Sequence, residues 1–175
     1  MSSSPERNET VKSSEFQQNL DILRQISFFS GLPLDSLKVF AFLCFRETFQ
    51  PGDYLFRQGD DDGQAFYIIS GAANLVFEDN GQECSIREFT KDSFIGGLAL
   101  LGNMTRLFSL KAVDEVRAMI LTREKFNSTI NQFPDQMPRI AKQVVESINA
   151  WEERSLQDRE SECQACRHKI GVSLI

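Results

Sequence analysis

The chain has little of what most enzymes need. Among 175 residues there is one histidine, His168, and it lies in the C-terminal tail, so acid–base chemistry has almost nothing to work with. P-loop, Rossmann and nucleophile-elbow patterns are absent. The run Asp60-Asp61-Asp62-Gly63 reads as a solvated loop, since no EF-hand pattern comes after it. An enzyme is therefore not expected. Four cysteines are too few for a disulfide scaffold, which points to a reducing, cytoplasmic setting. No apolar run approaches the ~20 residues of a membrane span; the longest covers 39–45. The N-terminus carries no apolar h-region, so no secretory signal is expected and the Asn-X-Thr sequons at Asn8, Asn103 and Asn127 carry no weight. Positive charge is in deficit as well. Nineteen Lys and Arg against 25 Asp and Glu give a net charge of −6, which argues against nucleic acid as a partner.

The chain is well supplied with apolar material and turn punctuation. Hydrophobic residues make up 41%, with 15 Phe, enough for a packed core. Residues 1–14 are rich in Ser, Glu and Asn and read as a disordered tail. Phe16, Leu20, Leu23 and Ile26 recur at helical spacing, and Leu34, Leu37, Ala41 and Phe45 predict a second helix after the turn at Gly31-Leu32-Pro33. From Arg46 the period changes. Pro51-Gly52-Asp53, Gln58-Gly59-Asp60, Ser70-Gly71 and Asp79-Asn80-Gly81 separate short strands at 54–56, 66–69, 73–78 and 84–89. Further strands lie at 108–113 and 118–121. The Asn-Gly pair suits a type I′ hairpin, in which both central residues take φ > 0. Close-set short strands predict an all-β barrel or roll. A helix over 123–130 comes next, and from 138 to about 167 the chain has neither Gly nor Pro after Pro138, so a long helix is expected.

The most informative stretch is 92–112. Phe94 and Ile95 end a strand, and Gly96-Gly97 allow a sharp turn and close approach of the backbone to a ligand. Leu98, Ala99, Leu100 and Leu101 favour a helical turn whose free N–H groups form an anion site. Arg106 then offers a fork for a phosphate. This pattern, with the Pro-Gly-Asp, Gln-Gly-Asp and Phe-Tyr-Ile-Ile-Ser-Gly sequences before it, resembles the cyclic-nucleotide-binding domain family. That family includes catabolite-activator-like sensors and protein kinase A regulatory subunits. The likeness covers roughly 26–133. It implies an α+β architecture: an eight-stranded β-roll of the jelly-roll type with flanking helices, spanning 15–135, then a C-terminal helix over 136–168 and a tail at 169–175. The family's phosphate-binding cassette maps onto Phe94, Ile95, Gly96, Gly97, Leu98, Ala99, Arg106, Leu107 and Phe108. Two positions depart from it. The ribose-binding glutamate is replaced by Gly97, and two small residues after the arginine are replaced by Leu107 and Phe108. Loss of a charged hydrogen-bond partner costs about 1.5–3 kcal/mol. Binding of cyclic AMP or cyclic GMP is accordingly expected to be weak or lost.

The resemblance implies a regulatory sensor with no cofactor, whose ligand moves the C-terminal helix. Two alternatives stand beside it: a pseudo-receptor scaffold for protein interaction, and a pocket retuned to another anionic small molecule. Met137, Ile140, Val144, Ile148 and Trp151 form a stripe on that helix. It predicts either a homodimer seam or a docking face for another protein. Trp151, the sole tryptophan, sits where the resemblance places a lid over the base. Cys163 and Cys166 with His168 have zinc-like spacing but lack a second ligand pair, so no metal is expected. The sequence leaves no room for a helix-turn-helix after the helix, so a complete transcription factor of the catabolite-activator type is not expected.

Overall fold

The computed structural model describes residues 5–79 and 81–157, with side chains at 13–78 and 81–150. Among the described residues, eight strands form two four-stranded antiparallel sheets. They are β1 (Phe45–Phe49), β2 (Tyr54–Phe56), β3 (Gln64–Ser70), β4 (Ala73–Asp79), β5 (Gln82–Phe89), β6 (Phe94–Ile95), β7 (Ser109–Ala112) and β8 (Val116–Thr122). The first sheet has the order β1-β8-β3-β6, the second β2-β7-β4-β5. The β-roll expected from the cassette resemblance is the fold. Gly81, in the β4–β5 turn, takes the positive φ that the hairpin requires, 78°.

The central strands of the first sheet, β3 and β8, are buried on both faces, which explains the unbroken apolar run Phe66-Tyr67-Ile68. Phe66, Ile68 and Ile120 point into the roll with Phe49, Phe56, Leu75, Phe108 and Leu110. Tyr67, Met119 and Leu121 alternate outward. There they meet a helical layer containing Leu23, Phe28, Phe29, Phe40, Phe126 and Ile140. That layer comprises α1 (Pro5–Leu23), a 3-10 turn at Ser27–Phe29, α2 (Leu34–Leu43), α3 (Arg123–Gln132) and α4 (Met137–Gln157). Its aromatic rings interlock, with Phe40 stacked on Phe126 at 5.6 Å and Phe28 edge-on to Phe29 at 5.0 Å.

Three features differ from the sequence reading. Helix α1 begins at Pro5, inside the stretch expected to be a disordered tail; proline is well placed in a first helical turn, and neither Gly nor Pro interrupts the helix beyond it. Helix α2 stops at Leu43, and Phe45–Phe49 is a strand, β1, that the sequence reading missed. As an edge strand, β1 exposes much of its length and shows no clean alternation. The stripe on α4 is partly spent inside the chain. Ile140 and Val144 are buried in the helical layer, and Arg139 Nη1 donates to the Gly31 carbonyl. A homodimer seam through those two residues is therefore not available, because an amphipathic helix buries its stripe on the nearest apolar surface. Trp151 is helical, but its side chain lies outside the described residues, as do Cys163, Cys166 and His168. No helix among the described residues is long and apolar enough to cross a membrane.

Candidate functional site

The cassette sits between the short strand β6 and β7. Gly96 takes φ 85° and turns the chain into a 3-10 turn at Gly97–Leu100. Four residues make too short a helix for a useful dipole, so the helix N-terminus expected as an anion site is not what this stretch supplies. The cationic group is Arg106, only 2% exposed. Its backbone is pinned to the β2–β3 loop: Arg106 N–H donates to the Asp60 carbonyl at 2.8 Å, and Gly59 N–H donates to the Arg106 carbonyl at 2.8 Å. Its guanidinium lies 4.1 Å over the Phe56 ring.

The guanidinium already has an anion. Nε and Nη2 donate to Asp62 Oδ1 at 3.1 and 2.8 Å, and Nη2 also donates to the Gln64 carbonyl. The same Asp62 oxygen accepts from the Gln64 backbone N–H at 3.2 Å, so Asp62 is held from two sides. Two buried atoms of the pair, Arg106 Nη1 and Asp62 Oδ2, have no partner. A Cβ added to Gly96 would stand 2.7 Å from Nη1 and 2.9 Å from the Gln64 carbonyl. Glycine at 96 is thus needed twice, for its positive φ and for the room it leaves the guanidinium.

A second arginine braces the cassette from outside. Arg123, the first residue of α3, donates from Nε to the Ala99 carbonyl at 2.7 Å and from Nη1 to Asn103 Oδ1 at 3.1 Å. Its guanidinium also pairs with Asp61. Consecutive aspartates therefore grip two arginines from different elements. The hydrogen bond from Arg123 holds the Asp61 carboxyl below its usual value of 3.8. A depressed folded value means that the pair's contribution is present above that usual value and disappears as pH falls through the folded one. Asp61→Asn should therefore be less stable than the unaltered chain near neutrality, and the gap should close below about pH 3.8; melting both proteins across pH 2–6 measures it, and a gap independent of pH contradicts the pairing. On the far side of the cassette, Tyr67 donates to Asp92 Oδ1 at 2.8 Å. Burial first, then that carboxylate, pushes the phenol up to about 12, so it remains a donor and ties the turn before β6 to the sheet.

The residues singled out from sequence divide sharply. Gly96 and Arg106 come together. Ala99 contributes its carbonyl to Arg123. Gly97 and Phe94 face the helical layer instead: a Cβ at Gly97 would stand 2.9 Å from the Phe94 ring and 3.0 Å from that of Phe28. Leu98 is half-buried against the same layer. Ile95 and Phe108 lie in the roll interior, Phe108 edge-on to Phe77 at 5.9 Å. Leu107 is 48% exposed. Missed altogether were Asp61, Asp62, Gln64, Arg123, Phe28 and Phe56. In sequence the aspartates read as a solvated loop, and a partner 44 residues away leaves no local trace.

The profile of the cyclic nucleotide-binding domain matches residues 46–133, from β1 to the end of α3. The chain belongs to that family. Among curated relatives, mouse cGMP-dependent protein kinase 2 is 26% identical over 137 residues, 77% of this chain but 18% of the kinase. The chain thus corresponds to under a fifth of that relative's length. Among solved structures, a cyclic nucleotide-binding-like protein from Brucella abortus superposes with a TM-score of 0.61 at 25% identity, covering 65% of this chain and 98% of that one. The regulatory subunit of a cAMP-independent protein kinase A from Trypanosoma brucei gives 0.58 at 26% identity, covering 75% of this chain and 49% of that one.

Proposed function

We propose that this chain is a non-catalytic regulatory module of the cyclic-nucleotide-binding type, with its ligand site at the cassette around Arg106 and low affinity for cyclic AMP and cyclic GMP. The observation that carries the reading is the Arg106 guanidinium itself. It is buried, it stands beside a glycine turn, and its Nη1 has no partner in the chain. Low affinity follows from position 97, which offers no carboxylate for a ribose hydroxyl and no space for one. The kinase A relative from Trypanosoma brucei is itself cAMP-independent, so the family's fold can serve regulation without that ligand.

Packing supports a coupling between the cassette and the C-terminal helix. Phe28 touches the Gly97 position and Phe94, and belongs to the same apolar layer as Ile140 and Val144 of α4. Displacement of the cassette turn presses on Phe28 and hence on the root of α4. A ligand shifts α4 only to the extent that it binds one arrangement better than the other. The pseudo-receptor reading has one observation in its favour, the ion pair that already occupies Arg106.

Calorimetric titration with cyclic AMP and cyclic GMP tests the proposal, with Trp151 fluorescence followed in parallel. Dissociation constants on the order of tens of micromolar or weaker are expected, because one lost charged contact alone weakens binding roughly ten- to a hundredfold. Submicromolar binding would show that the cassette has been misread. No heat and no fluorescence change at millimolar ligand would leave the scaffold reading.

A further inference from the structure

We infer that Asp62 is the cassette's built-in anion: a latch that any phosphate-bearing ligand must eject, and whose ejection is transmitted to α3 through the neighbouring Asp61. This deepens the proposal above and rests on its reading of the cassette as the ligand site.

A phosphate is held best by an arginine that offers two parallel N–H donors. Here Nε and Nη2 are committed to Asp62 Oδ1, and Nη2 also serves the Gln64 carbonyl, which leaves Nη1 alone. A phosphodiester can win the fork only by replacing the carboxylate. It cannot simply join it, because Asp62 is only 17% exposed and two buried anions would share one cation. The site is therefore electrically satisfied before any ligand arrives.

Ejection cannot stay local. Asp61 is the residue immediately before Asp62 and is fastened to Arg123, which also holds the Ala99 carbonyl and Asn103. The backbone of the same loop is bonded to Arg106 through Asp60 and Gly59. Swinging Asp62 out of the site displaces Asp61 and loosens its grip on the first residue of α3. By reciprocity, whatever tightens the Asp61–Arg123 pair must weaken ligand binding at Arg106 by the same factor.

Affinity separates a latch from a merely structural ion pair, because damage to a structural pair does not improve binding. Asp62→Asn keeps the shape and removes the charge. It should bind cyclic AMP and cyclic GMP about ten- to a hundredfold more tightly than the unaltered chain. Asp62→Glu, which keeps the charge, should show no such gain. Asp61→Asn should give a smaller gain in the same direction, and it decides the matter alone if Asp62→Asn fails to fold: a gain supports the latch, unchanged or weaker binding overturns it. If the unaltered chain and folded Asp62→Asn bind with equal measurable affinity, the latch falls and the cassette reading survives. If neither binds at millimolar ligand, both fall.

Discussion

Arg106→Ala is expected to cost about 3–5 kcal/mol of folding stability, although Arg106 is the residue a sequence comparison would assign to ligand binding. An arginine that waits in solvent for a phosphate can be removed at little expense. This one is 2% exposed and compensates a carboxylate that is itself only 17% exposed. Its removal strands Asp62 in the interior, leaves the Gln64 carbonyl without its side-chain donor and takes the cation from the face of Phe56. At about 2–4 °C per kcal/mol for a chain of this size, the melting temperature should fall by roughly 6–20 °C. Urea unfolding followed by circular dichroism gives the free energy directly. A loss below about 1 kcal/mol would show that the pair behaves as an exposed salt bridge and does not close the cassette. The double variant Arg106→Leu with Asp62→Leu supplies the control. Replacing both members of a buried ion pair by apolar side chains is often neutral, so much of the stability should return while anion binding should not.

Gly97→Glu is the second large effect, and its sign opposes the simplest reading of the sequence. Restoring the family's glutamate ought to restore a ribose contact. In this chain, however, the position is walled by aromatic rings. A Cβ would stand 2.9 Å from Phe94 and 3.0–3.1 Å from Phe28 before any carboxylate is placed. Overpacking of a tight core costs about 1–3 kcal/mol, and a carboxylate buried without a partner adds to it, so a loss of roughly 3 kcal/mol or more is expected with no gain in cyclic AMP affinity. Thermal unfolding and calorimetry on the same preparation measure both halves. A stable Gly97→Glu protein with tighter cyclic AMP binding would mean that Phe28 and Phe94 yield easily, and the coupling from cassette to α4 through Phe28 would lose its basis. Gly97→Ala separates the two contributions: it adds the Cβ without the charge and should fall between the parent and the glutamate variant.

These two substitutions also locate the limits of the sequence. The roll was legible because its information is local. The Asn-Gly hairpin, the glycine punctuation after each short strand and the apolar run 66–69 each act within a few residues, and together they leave few architectures open. The cassette's backbone was legible for the same reason, since a glycine pair ahead of helix formers specifies a turn whatever surrounds it. Strand β1 was not legible, because an edge strand needs no clean alternation to satisfy its neighbour β8. The role of α4's stripe was not legible either: periodicity shows that a face is apolar and is silent on whether that face is covered from within the chain or by another molecule.

What only the tertiary structure decided is the state of the site. A glycine in place of a glutamate reads in sequence as a missing contact. In the folded chain it is also a volume, filled by a phenylalanine from a turn nearly 70 residues earlier in the chain. An arginine reads as an available charge, and three aspartates in a loop read as solvated. In the folded chain Arg106 and Asp62, 44 residues apart, cancel one another in the interior. Composition and local pattern determine which backbone forms, because hydrogen bonds and turn preferences act over a few residues. Whether a charge is free or already paired depends on distances that only the closed roll sets, and electrostatic energy in a buried site is governed by those distances.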